Sequence, residues 1–155
     1  KEMAEEQLAC PLTKGERILV AVDGSIYSEI ALDQAISMAT VCGSQLFAIH
    51  VVEAYPKHLE SAPAFEDEIR KAGTKFPEKV KDKAAQKNVS CETILKVGGQ
   101  PHEFIVKEAK GKGIDLIVVG THGRSGLKKL FMGSVAQKVI GHAPCAVLVV
   151  PAFPS

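Results

Sequence analysis

Five short apolar runs recur along the chain: "RILVAV" at 17–22, "QLFAIHVV" at 45–52, "SCETILKV" at 90–97, "IDLIVVG" at 114–120 and "CAVLVV" at 145–150. Most are apolar at consecutive rather than alternate positions, so as strands they bury both faces. A sheet of such strands needs a layer on each side, the arrangement of parallel sheets covered by helices. The segments between the runs supply those helices. After "RILVAV" the turn "DGS" offers Ser25 as an N-cap, and Ile30, Ala31, Ala35, Met38, Ala39 and Cys42 recur at helical spacing until Gly43. A charged region within 66–87 reads as helical, but Gly73 and Pro77 interrupt it and predict two pieces or a kink. Pro101 suits the first turn of a third helix, and Ser134 to His142 form a fourth. The fold class is α/β: a single-domain, Rossmann-like open sheet of five parallel strands with helices on both faces, joined by right-handed crossovers. Residues 1–14 fall outside this plan as a tail or linker, and 15–155 form the folded domain.

Composition limits what such a domain does. The chain has 155 residues, 46% of them hydrophobic and 24% charged, which excludes a disordered or collagen-like chain. A net charge of +1 carries none of the basic excess of a nucleic-acid surface. No apolar run approaches the length of a membrane span. Cys10, Cys42, Cys91 and Cys145 lie far apart without metal-ligand spacing and read as free thiols, which fits a reducing cytoplasm.

In open α/β sheets ligands bind beyond the carboxyl ends of the strands, which directs attention to Asp23 after the first strand and Gly120 after the fourth. The stretch "GTHGRSGLKKLFMGS" at 120–134 combines four glycines with three cationic side chains and no acid. Glycines at 120 and 123 allow positive φ and close approach of another molecule to the main chain. Gly133 and Ser134 precede a helix whose first amides attract anions, with Arg124, Lys128 or Lys129 at hand. A phosphate suits that geometry. Within the motif, His122, Arg124 and Ser125 read as solvated loop side chains. The chain holds neither G-x-x-x-x-G-K-[ST] nor G-x-G-x-x-G, so the common phosphate loops are excluded.

The spacing Gly120, two residues, Gly123, nine residues, Gly133, Ser134 resembles the G-2x-G-9x-G-[ST] signature of the ATP-binding branch of the universal stress protein family. "RILVAVDGS", "HVVE", "GGQPHEFIVKEA" and "GSVAQKVIGHAPCAVLVVP" extend the resemblance over about 16–151. The resemblance implies an adenine-nucleotide α-hydrolase-like fold and a site for ATP, or ADP or AMP, with Mg2+ carried on the phosphates. It implies Asp23 against the adenosine part and backbone groups of Val51 at the adenine. Gly120 and Gly123 would then lie near the ribose and α-phosphate, and Gly133 and Ser134 at the outer phosphates. It also implies a homodimer formed through the last strand, 145–150. His50 reads as a strand residue rather than a catalyst.

No general base stands out near these loops, where Asp23 is the only acid, and neither H-x-G-H nor S-G-G-x-D-S is present. Three functions stay open. They are a nucleotide-binding regulatory module of the stress response, a slow ATPase or phosphotransferase, and a protein-interaction scaffold that uses no nucleotide.

Overall fold

The computed structural model describes residues 9–54, 62–123 and 132–151. Strands β1 (Arg17–Ala21), β2 (Gln45–Glu53), β3 (Cys91–Gly98), β4 (Leu116–Gly120) and β5 (Ala146–Val150) alternate with helices α1 (Ile26–Cys42), α2 (Ala62–Ala85), α3 (Pro101–Gly111) and α4 (Ser134–His142). All strand pairs are parallel, in the order β3-β2-β1-β4-β5. The expected Rossmann-like sheet is present, and its direction of winding reverses between β1 and β4.

Alternate strand residues feed two cores. Ile18, Val20, Leu46, Ala48, Leu116 and Val118 pack with α1 and α2 on one face. Leu19, Phe47, Ile49, Ile117 and Val119 pack with α3 and α4 on the other. Full burial of each such Ile, Leu, Val or Phe side chain contributes roughly 1.5–3 kcal/mol, which is why residues 18–21 and 116–119 are apolar at every position.

The helix boundaries follow local chemistry. Ser25 caps α1, its hydroxyl accepting from the Ser28 amide at 3.2 Å, and Gly43 ends it in the left-handed region at φ 64°. Gln100 precedes Pro101 at the start of α3. For the second helix the two-piece alternative is corrected: it is one element with Pro77 inside it. Phe76, Val80 and Ala84 form its buried stripe, and their burial offsets the hydrogen bond that proline removes. Lys79 and Lys83 also pin it to Glu29 of α1.

The cysteine reading is corrected. Cys10 and Cys42 form a disulfide, while Cys91 and Cys145 are free. The segment before β1 runs back past the end of α1, where the Ser44 hydroxyl donates to the Gly15 carbonyl and a Cβ on Gly15 would meet Cys10 Sγ at 3.0 Å. Tertiary return of the chain, not sequence spacing, makes the pair, and it removes the cysteine-based ground for a reducing compartment. Among the described residues no helix is long and apolar enough to cross a membrane.

Candidate functional site

The site grows out of the turn after β1. The Val22 amide donates to the Ile49 carbonyl at 2.8 Å, so β1 stays joined to β2 just past its own carboxyl end. His50 Nδ1 lies 2.7 Å from the Val22 carbonyl. A carbonyl only accepts, so Nδ1 carries the hydrogen and His50 works as a strand fastener. Next in the chain, Asp23 sits in a closed set of bonds. Its amide donates to Ser28 Oγ at 3.1 Å, the Ser28 hydroxyl donates to the Ser25 carbonyl at 3.0 Å, and the Ser25 amide donates to Asp23 Oδ1 at 2.9 Å. Ser25 is therefore the helix cap, and Asp23 orders the turn ahead of it through one carboxylate oxygen.

The other carboxylate oxygen faces the β4 loop, since a Cβ added to Gly123 would stand 2.8 Å from Asp23 Oδ2. The same test at Gly120 meets the Tyr27 carbonyl oxygen at 3.0 Å and carbon at 3.1 Å, and at Gly133 it meets the Thr121 carbonyl at 3.1 Å. Positive φ is found at Gly24, Gly43, Gly98 and Gly113, and at none of these three. The expectation that Gly120 and Gly123 serve by positive φ is thus corrected: they are bare because main chain and a carboxylate pack against them.

The Gly133 amide donates to the Thr121 carbonyl at 2.6 Å, so the start of α4 lies against the end of β4. Arg124, Ser125, Lys128 and Lys129 lie outside the described residues. Gly133 also serves as the N-cap of α4 and has no side chain to bond the first amides of that helix. Those amides have no intrahelical partner and carry the positive end of the helix dipole.

These parts enclose a cavity of about 500 Å³. Asp23, Val51, Gly120, Gly123, Gly133 and Ser134 all line it, brought together from the ends of β1, β2 and β4 and the start of α4. Ile49, Val51, Ile105 and Val119 make part of the wall apolar. Glu53 and Glu68 also line it and went unnoticed in the sequence. Nothing in the spacing of α2 marked Glu68 as facing this space; only the packing of that helix on the sheet brings it there.

His122 is corrected as well, from a solvated loop residue to a half-buried one. Its Nδ1 lies 3.0 Å from Thr121 Oγ1, its ring centroid is 5.0 Å from that of Tyr27, and its Nε2 is buried with no hydrogen-bond partner. An unsatisfied buried polar atom costs about 1–3 kcal/mol. Among the described residues no group of three or more His, Cys, Asp or Glu side chains could hold a metal ion.

The comparisons with known proteins agree with this architecture. The family model described as "Universal stress protein family" matches residues 15–151. Universal stress protein YxiE of Bacillus subtilis is 40% identical, with 86% of this chain and 97% of YxiE covered. The structure of universal stress protein UspA from Lactobacillus plantarum superposes with a TM-score of 0.77 at 28% identity, covering 88% of this chain and 98% of that one. A universal stress protein solved in complex with cAMP superposes with a TM-score of 0.61 at 26% identity, covering 87% and 95%. With the fold, the order of motifs and these matches in agreement, the chain belongs to the universal stress protein family.

Proposed function

We propose that this chain is a regulatory adenine-nucleotide-binding module, holding ATP (or ADP or AMP) in the cavity at the switch point of the sheet. The observation that carries the reading is the convergence of six residues, scattered from 23 to 134 in sequence, on one cavity whose wall includes the bare start of α4. The volume suits a small ligand, for which about 300–1,000 Å³ is usual. The residues fit the group: Asp23 offers a carboxylate to ribose hydroxyls, the apolar wall beside Val51 takes the base, and the Ser134 hydroxyl together with the amides of Ser134 and its successors takes phosphate oxygens. The cAMP complex of a relative supports adenine-nucleotide chemistry in this fold. Mg2+ would ride on the phosphates and solvent, the mode this ion often adopts.

In this reading the protein changes shape or partners with nucleotide occupancy. It works as a cytoplasmic homodimer paired through β5, with residues 15–155 as the active unit. β5 lies at the edge of the sheet, and Val147, Leu148 and Val149 are only half-buried there, a pairing template that proteins normally cover.

Competition against a fluorescent ATP analogue tests the site. Unlabelled Mg-ATP displaces it from the unmodified chain, while Asp23→Ala and Ser134→Ala each weaken displacement about tenfold. Equal displacement from all three proteins overturns the assignment. A second reading, slow hydrolysis, draws on Glu53 and Glu68 in the cavity wall. Conversion of bound ATP to ADP in a single turnover, lost in Glu68→Gln, would favour it, and intact ATP after hours would dismiss it.

A further inference from the structure

We propose that His102 and His142 form a two-histidine site for a divalent transition metal, clamping the start of α3 to the end of α4. The two imidazoles come from different helices, and their ring centroids stand 5.8 Å apart. With metal–nitrogen bonds of about 2.0–2.1 Å, two imidazoles sharing one ion hold their centroids roughly 5 to 6 Å apart. His142 also has one nitrogen already engaged, which leaves the other for an ion. Its Nδ1 lies 2.7 Å from the Lys138 carbonyl, which can only accept, so Nδ1 carries a hydrogen and Nε2 is the nitrogen left to face a metal. A backbone carbonyl holding the far nitrogen is the usual support of a metal-bound histidine. Imidazole pairs suit zinc, nickel and copper, with water completing the coordination.

One group opposes the ion. Lys138 reaches over to Gln100, its Nζ donating to Gln100 Oε1 at 2.9 Å, and so holds an ammonium beside the pair. Metal affinity is therefore modest in the unmodified chain and rises when that charge is removed. The clamp has a structural reach, because Pro101 at the head of α3 and Ser134 at the head of α4 both line the central cavity. The proposal stands apart from what fills that cavity.

Calorimetric titration of the full chain with zinc chloride tests it. The expected result is one equivalent bound, at least tenfold weaker binding in His102→Ala and in His142→Ala, and no further loss in the double variant, the non-additivity of two ligands of one ion. Lys138→Gln binds zinc more tightly, by threefold or more at low salt, and the gain shrinks as salt screens the charge. His142 is exposed and His102 half-buried at the surface, so these variants fold. Zinc binding that survives the double variant traces the ion to other groups, such as the Cys91 and Cys145 thiols, and overturns the proposal. So does the absence of binding by the unmodified chain at about 100 μM zinc, near 5 kcal/mol of affinity.

Discussion

At the scale of single residues, the glycines of the 120–134 motif divide by what stands against them. Gly120 faces the Tyr27 main chain, which cannot yield without moving α1. Gly120→Ala therefore lowers stability by about 1–3 kcal/mol in urea denaturation, the range for an overpacked core. Among the described residues Gly123 faces the tip of Asp23, so Gly123→Ala costs less stability but displaces the carboxylate from the cavity wall. The order of the two effects, read by denaturation, checks this division. The motif was legible in the sequence, yet its physical reason was not, because an added Cβ meets neighbours that only the fold supplies. His122 was misread for the same cause: a loop histidine gives no sign in sequence that Tyr27 will cover it. The free cysteines make a further residue-scale prediction. Burial pushes the Cys91 thiol up to about 11, and the Cys145 thiol is raised by the same cause. Little thiolate exists at pH 8, so both alkylate more slowly than a free cysteine, and mass spectrometry counts two thiols labelled before reduction and four after it.

At the scale of elements, strands and caps were the most legible parts. Ser25 acts through its own hydroxyl, and Gly43 and Pro101 through their backbone preferences, which neighbours do not override. α2 was not, because Gly73 and Pro77 signal a break locally while Phe76, Val80 and Ala84 hold the helix together against the sheet. Its ionic attachment predicts a pH dependence. Burial alone would raise the Glu29 carboxyl, but hydrogen bonds and charge from Lys79 and Lys83 outweigh it and hold Glu29 below the usual carboxylate value. A depressed carboxylate stabilises the fold above its unfolded pKa, and that contribution disappears as pH falls through the lower folded value. Lys83 is raised, first by its bond to Glu29, so its contribution is complete below its unfolded pKa and lost only in strong alkali. Glu29→Gln is therefore less stable than the unmodified chain at pH 7, by about 1 kcal/mol. The gap closes as pH falls below the usual carboxylate range and through the lower folded value, which thermal melts in acid measure.

At the scale of the whole molecule, strands apolar on both faces implied a parallel sheet with a core on each side, but the strand order, and with it the switch point between β1 and β4, came only with the fold. The pairing of Cys10 with Cys42 was not, because their meeting depends on how residues 9–16 return past the end of α1. The loop it closes spans 32 residues, and Cys10→Ser is expected to cost roughly 3 kcal/mol of stability under oxidising conditions and nothing under reducing ones. The dimer through β5 is tested by mass in solution: twice the chain mass at micromolar concentration, reduced to a monomer by Leu148→Lys, against a concentration-independent monomer if the edge stays unpaired. The central claim is that the cavity between β1, β4 and α4 holds an adenine nucleotide. Calorimetry of nucleotide-stripped protein with Mg-ATP, run beside Gly123→Val, tests it most directly. The account predicts micromolar binding, about 8 kcal/mol, abolished in the variant, whose side chain pushes Asp23 from the wall. No binding by the unmodified protein, or equal binding by both, would contradict it.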